Sequence, residues 1–133
     1  MSYRRLILTA VAASLSIATA VRHADAQVGL ERKIVLQQDA AIPGYETVLA
    51  EVSIAVGGRE GRHSHSGSLV GYILEGELTL ELEGQPTKIV KAGEAVLIEP
   101  RHVHEGFNKG NVPIKALVTF IVEKGKPLTT PAQ

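Results

Sequence analysis

Strict alternation of apolar and polar residues is the feature that most constrains the fold of this chain. Between Gly76 and Gly84 every second residue is leucine, and the residues between are glutamate or threonine. Successive side chains of a strand point to opposite faces, so this period of two predicts a half-buried antiparallel strand over residues 77–83. A second run, residues 46–56, alternates in the same way and places five apolar residues on one face: Val48, Ala50, Val52, Ile54 and Val56.

The other apolar segments are short and are bounded by glycine or proline. They predict further strands at residues 31–37, 69–75, 88–90, 94–98 and 114–122. Gly57, Gly58 and Gly61 predict a tight turn with positive φ angles. No segment after the first 26 residues has a convincing helical period. A total of about eight or nine short strands with such turns predicts an all-β sandwich or barrel.

The beginning of the chain is typical of an export signal. Arg4 and Arg5 form a basic start, residues 6–21 are uncharged and mostly apolar, and Ala24 to Ala26 supplies small residues at a cleavage site. We predict cleavage after Ala26 and a mature protein in the periplasm or outside the cell. The two arginines leave open whether export follows the twin-arginine or the general secretory route.

A retained membrane anchor is the competing interpretation of the same segment. The apolar stretch is short for a membrane span, contains serine and threonine, and ends at Arg22 and His23. We therefore expect no stable membrane insertion after signal cleavage. The mature chain is then one barrel domain, residues 27–126, followed by a flexible tail, residues 127–133, that contains two prolines.

Composition excludes several classes of site. The chain has no cysteine, so disulfides and thiolate metal sites are excluded, and any metal must be held by nitrogen and oxygen. Its formal net charge is zero, and no basic run with interleaved aromatic residues suggests a nucleic-acid partner. Aromatic residues make up 4% of the chain, which argues against a stacking surface for sugars or bases.

Four of the five histidines lie in two His-x-His pairs, His63 with His65 and His102 with His104. In an extended segment, residues two apart share a face, so each pair can direct both imidazoles to one point. The two pairs together predict a divalent metal bound between two strands. Taken alone, His102 is more typical of a pocket wall or surface than of a ligand.

The two histidine segments resemble the two motifs of the cupins, a family of small antiparallel β-barrels. Gly57, His63, His65 and Gly76 match the first motif. The second motif is matched by Gly93, Pro100, His104 and Asn108, with the proline one place later than usual. The resemblance covers nearly all of residues 27–126 and implies an all-β fold of one antiparallel cupin barrel. It also implies metal ligation by His63, His65 and His104.

Two positions depart from the family pattern. Leu69 stands where the family has a glutamate ligand, and Arg101 stands where the second motif usually has glycine. We expect Glu105 to point away from His104, and we assign neither Glu105 nor Glu75 as a replacement ligand. Three neutral imidazoles leave the full charge on a divalent ion and suit Fe, Zn or Ni better than Mn, which prefers oxygen ligands.

The resemblance implies a metal-dependent enzyme, similar to cupin dioxygenases, isomerases or lyases, that acts on a small oxygen-bearing organic molecule. A non-catalytic protein that binds a metal or small ligand is the alternative, and a barrel that has lost its site is a third. Candidate substrate-binding residues are His102, Tyr72 and Arg101. Cupins often pair through edge strands, so we also expect a homodimer that covers an exposed edge such as residues 31–37.

Overall fold

The structure, a computed structural model, describes residues 26–133. The predicted export signal, apart from Ala26, therefore lies outside the described residues. No helix within the described part is long and apolar enough to cross a membrane. Ten strands are present in this part: β1 Val28–Asp39, β2 Tyr45–Arg59, β3 His63–Ser64, β4 Ser68–Glu75, β5 Glu77–Leu82, β6 Lys88–Lys91, β7 Ala95–Ile98, β8 His104–Phe107, β9 Ile114–Glu123 and β10 Thr130–Pro131.

The strands form a nearly closed antiparallel barrel, and the all-β fold class is confirmed. One branch of the sheet has the order β1-β2-β9-β4-β7, and the other has the order β10-β3-β8-β5-β6. The branches join where Arg59 of β2 pairs with Phe107 of β8. Because β3 pairs with β8, which lies far from it in sequence, the two histidine segments come together in the barrel.

The apolar faces of the alternating segments are buried as predicted, apart from Val56, and Thr79 on the opposite face of β5 is buried as well. Leu78, Leu80 and Leu82 of β5 are buried, as are Val48, Ala50, Val52 and Ile54 of β2. Val56 is 53% exposed, because it lies in an irregularity of the β1–β2 pairing between Ile54 and Arg59, where Gly57 has a φ of +74°. Burying a leucine, isoleucine or valine side chain in these strands stabilises the fold by about 1.5–3 kcal/mol. The core combines these residues with members of β4, β7 and β9: Leu69, Ile73, Ile98, Ile114, Ala116, Phe120 and Val122.

Asn108 anchors the turn that follows β8. Its side chain is buried, and its Nδ2 donates hydrogen bonds to the carbonyl oxygens of Ile54 (2.9 Å) and Val112 (2.8 Å). Its Oδ1 accepts from the backbone N–H of Gly110 at 3.0 Å. A buried amide must be satisfied in this way, so the asparagine of the second motif connects β2 to the β8–β9 turn.

The C-terminal residues, predicted as a flexible tail, include the short strand β10. Thr130 and Pro131 pair with Ser64 and His63 of β3, and Ala132 N–H donates to the carbonyl of Arg62 at 2.9 Å. Proline is tolerated at a sheet edge because its missing N–H is not needed by a neighbouring strand. The prolines that suggested a loose tail are therefore compatible with a short edge strand beside the histidines.

Candidate metal centre

Three histidines meet inside the barrel. His63 lies in β3, His65 lies in the loop after it, and His104 begins β8, where it pairs directly with His63. All three are at most 4% exposed, and the centroids of their rings are separated by 4.3 to 5.1 Å. One ring nitrogen of each lies within 4.8 Å of the corresponding nitrogens of the others. This group is of a size that could hold a metal ion.

Backbone carbonyls fix the orientation of all three rings. The Nδ1 atoms of His63 and His65 lie 2.6 Å from the carbonyl oxygens of Gly61 and Leu128, respectively, and Nδ1 of His104 lies 2.8 Å from that of His102. A carbonyl oxygen accepts hydrogen bonds and cannot donate, so each Nδ1 carries the proton. Each Nε2 therefore has a free lone pair, the arrangement that orients histidines in metal sites.

Burial keeps two of these imidazoles uncharged. Desolvation, together with the electrostatic interaction with the His63 ring, lowers the pKa of His65 to about 4 and that of His104 to about 3. Both are therefore neutral near pH 7, as metal ligands must be. The Nε2 of His65 is buried and has no hydrogen-bond partner among the described residues. A divalent ion would satisfy this atom, so the donor set fits a metal that prefers nitrogen ligands.

The histidines lie in the wall of a cavity that is otherwise mostly apolar. The enclosed space is about 50 Å³, enough for an ion and a few water-sized groups. Leu69 is buried in this wall, so the position of the usual glutamate ligand presents a hydrocarbon side chain to the cavity. Two charged residues, Glu60 and Arg32, also line it.

Glu60 is the site residue that the sequence reasoning missed. Its N–H donates to the carbonyl of Gly106 at 2.9 Å, and its carboxyl group lies where a side chain on residue 106 would be. A Cβ on Gly106 would lie 2.6 Å from Oε2 of Glu60. Strand alternation would place residues 60 and 63 on opposite faces, but Gly61, with φ of +74°, interrupts the alternation between them. Gly61 is therefore the feature of the sequence from which the position of Glu60 in the cavity could have been predicted.

The pKa of Glu60 is raised by burial. Electrostatic interactions with His63 and Arg32 and a backbone hydrogen bond from Gly106 oppose this shift. The cavity thus contains a buried carboxyl group, whose acid form desolvation favours, next to the three imidazoles.

The three predicted substrate-binding residues lie outside the cavity wall. Tyr72 is 44% exposed on the outer face of β4. The side chain of Arg101 is exposed and forms an ion pair with Glu123 (2.7 Å). Its φ angle is +61°, which explains why glycine is usual at this position in the second motif.

His102 does not share a face with His104, and the parity prediction for this pair is wrong. Its Nε2 lies 2.8 Å from the carbonyl oxygen of Glu83, away from the cavity. The prediction fails because β8 begins only at His104, and the residues before it follow a turn at Arg101 instead of a strand.

Glu105 and Glu75, which we do not assign as metal ligands, lie away from the histidines. Glu105, next to His104, is buried on the other face of β8, where its Oε1 accepts from Nε of Arg59 at 2.6 Å. Glu75 forms an exposed ion pair with Lys115 at 3.0 Å.

Comparison with known proteins agrees with this architecture. A family model described as the cupin domain matches residues 50–120. An uncharacterized protein of Methanocaldococcus jannaschii is 36% identical over 75 residues, which are 56% of this chain and 59% of that protein. The match thus spans about three fifths of the relative's length.

Several solved structures share the fold. A cupin-like protein of Thermotoga maritima superposes with a TM-score of 0.65 at 19% identity, over 85% of this chain and 84% of that one. The polyketide cyclase RemF of Streptomyces resistomycificus gives 0.65 at 21% identity, over 80% and 73%. The DMSP lyase DddQ of Ruegeria pomeroyi gives 0.59 at 22% identity, over 65% and 43%. At these identities the likeness concerns the fold.

Proposed function

Because this chain belongs to the cupin family, we propose that it binds one divalent transition metal through Nε2 of His63, His65 and His104. The single observation that carries the proposal is the direction of the three rings. Each Nδ1 is engaged by a backbone carbonyl, which leaves the lone pair of each Nε2 available, and the three rings lie close enough to share one ion. The buried Nε2 of His65, which has no hydrogen-bond partner among the described residues, is unfavourable unless a cation or donor group accepts its lone pair.

The donor set limits the choice of ion. With Leu69 in the wall, the motif supplies nitrogen ligands alone, and nitrogen sites suit Fe, Zn or Ni better than Mn. A bound ion with open positions supplies Lewis acidity, or oxygen chemistry in the case of iron.

We propose that the protein is an enzyme of the dioxygenase, isomerase or lyase type acting on a small oxygen-bearing organic molecule. Glu60 supports catalysis over simple binding, because it places an acid–base group in an otherwise mostly apolar cavity. Its carboxylate can accept a proton from a bound molecule, or its acid form can donate one. The wall from β4, β5 and β9 is apolar. A non-catalytic binding protein would not need such a group.

The fold relatives include a polyketide cyclase and a DMSP lyase. Their names support an enzymatic role for a barrel of this fold, and the choice of reaction depends on the residues of each site.

Metal content tests the proposal. The protein would be purified without chelators, and its metals measured by mass spectrometry beside His63→Ala, His104→Ala and the matched control His102→Ala. We expect near-stoichiometric metal in the wild type and in His102→Ala, whose ring lies outside the cavity, and loss in the other two variants. A wild type that contains no metal and takes up none of Fe, Zn or Ni would contradict the proposal.

We further propose that the protein is exported and forms a homodimer. The basic and apolar leader with its small-residue cleavage site supports export to the periplasm or beyond. Among the described residues β1 pairs with β2 alone, and its Ile34, Val35 and Leu36 are 42–50% exposed, which supports pairing through this edge. A monomer in light scattering over a wide concentration range would exclude the dimer.

A further inference from the structure

Arg32 occupies an unusual position for an arginine on an edge strand. Its neighbours Glu31 and Lys33 are exposed, whereas Arg32 points inward and lines the histidine cavity. The guanidinium carbon lies 5.7 Å from the centre of the Phe120 ring, and Phe120 is itself in edge contact with His65. The guanidinium therefore reaches the immediate surroundings of the proposed metal ligands.

The hydrogen bonds of Arg32 are incomplete. Its Nη1 makes a long contact of 3.4 Å with Oγ1 of Thr129, and its Nε is buried without a hydrogen-bond partner among the described residues. An arginine remains charged in a protein, so an unpaired buried N–H of this group costs free energy. A ligand with an oxygen acceptor at this point would remove that cost.

The charges of the loaded cavity favour an anion. The ring geometry makes the three histidines neutral ligands, so a divalent ion keeps its full charge and the guanidinium adds another. Glu60 offsets at most one of these charges. The cavity then has excess positive charge in either protonation state of Glu60, and an anionic ligand neutralises it.

The shape of the site fits a ligand that lies partly outside the enclosed space. The inner cavity, about 50 Å³, admits the ion and a few atoms. A mouth cavity of about 390 Å³ adjoins it and shares Arg32, Glu60 and His63 with its wall. A ligand can therefore place one polar end between Arg32 and the ion while its body occupies the mouth.

From these observations we infer, on the basis of the proposed metal function, that the substrate is a small organic carboxylate whose carboxylate group binds Arg32. The planar guanidinium edge presents parallel N–H groups that match the two oxygens of a carboxylate. A second oxygen on the adjacent carbon, as in a 2-hydroxy acid, would complete a chelate with the ion. Arg32 thereby positions the substrate and selects anions over neutral molecules.

Calorimetric titration with a matched pair of probes tests this inference. Lactate and lactamide have the same carbon skeleton and hydroxyl, and differ in that lactate is charged. The zinc-loaded protein would be titrated with both, beside Arg32→Met and the control Lys33→Met, which removes a charge from the next residue of β1, where it is exposed. We expect lactate to bind the wild type and Lys33→Met and to lose roughly 10- to 100-fold in affinity in Arg32→Met.

Equal binding of lactate and lactamide by the wild type, or no binding of either, would overturn the inference, as would unchanged lactate affinity in Arg32→Met. Because Arg32→Met removes a partly buried group, Arg32→Lys provides a second variant that keeps the charge but lacks the planar edge, and its affinity for lactate should be intermediate. Thermal melting confirms that each variant is folded.

The same titrations separate this inference from the metal proposal. Zinc content is measured on every sample, and the titrations are repeated after removal of metal by a chelator. A protein that holds zinc but ignores the charge of the probe contradicts the role of Arg32 alone. A protein that holds no zinc contradicts the metal proposal. In that case the role of Arg32 is supported if lactate still binds the wild type more tightly than Arg32→Met, and is contradicted if the two affinities are equal.

Discussion

Removal of metal should make the stability of this protein depend steeply on pH. In the folded state burial lowers the pKa of His65 to about 4 and of His104 to about 3, from an ordinary value of 6.5. Near pH 5 the unfolded chain therefore binds a proton at each of these residues, and the folded chain does not. Stability rises with pH wherever the unfolded state binds more protons, so it should be complete above pH 6.5 and fall as the solution is acidified.

The size of the effect follows from the proton count. Each histidine that is protonated only in the unfolded state lowers the free energy of unfolding by up to about 1.4 kcal/mol per pH unit. Between pH 6.5 and about pH 5, the two histidines together lower it by about 3 kcal/mol. Glu60 acts in the opposite direction, because its raised pKa makes the folded state bind a proton at higher pH than the unfolded state does.

Urea denaturation followed by circular dichroism, at several pH values in the presence of a chelator, measures this dependence. The comparison that isolates one imidazole is between the wild type and His104→Leu or His65→Leu, because Glu60 is present in all three. Each variant should lose about 1.5 kcal/mol less than the wild type between pH 6.5 and about pH 5, whatever its stability at neutral pH. The same decrease in wild type and both variants would refute the conclusion that these rings are neutral and buried in the folded state.

Three further perturbations probe the surroundings of the site. Gly106→Ala places a Cβ 2.6 Å from Oε2 of Glu60, so it should lower the free energy of unfolding by about 1–3 kcal/mol, and by less in a Glu60→Ala background, as a double-mutant cycle would show. Ending the chain after Pro127 removes the carbonyl of Leu128, which accepts a hydrogen bond from Nδ1 of His65. The ring of His65 then loses its orienting partner while His63 and His104 remain, so the metal affinity measured by chelator competition should fall about 10- to 100-fold. In Arg101 the left-handed backbone costs about 1–2 kcal/mol, and Arg101→Gly removes this strain. The same substitution loses an exposed ion pair worth about 1 kcal/mol or less. Its unfolding free energy should therefore stay the same or rise by about 1 kcal/mol, whereas Arg101→Val should lower it.

The parts of the fold that depend on local periodicity could be predicted from the sequence. The alternation in β2 and β5 defined their buried faces. Successive side chains of a strand point to opposite faces, so the apolar residues of a half-buried strand occupy every second position in the sequence. The same alternation predicted that His63 and His65 lie together, and the resemblance to the cupin motifs implied that His104 joins them.

The parts that depend on interruptions of that period could not be predicted. Gly61 turns the chain so that Glu60 enters the cavity, and the turn at Arg101 removes His102 from the face of His104. Arg32 and the C-terminal residues reach the site through pairings of β1 and β10 that no local pattern specifies. The contact between His65 and Leu128, for example, is set by the closure of the barrel.

The most direct test of the central claim is anomalous diffraction from crystals grown with zinc and measured at the zinc absorption edge. The account predicts one strong peak inside the barrel, about 2.0–2.1 Å from Nε2 of each of the three histidines, with every Nδ1 still bonded to its carbonyl. A peak at another location, ligation through Nδ1, or an empty cavity in zinc-saturated crystals would contradict it.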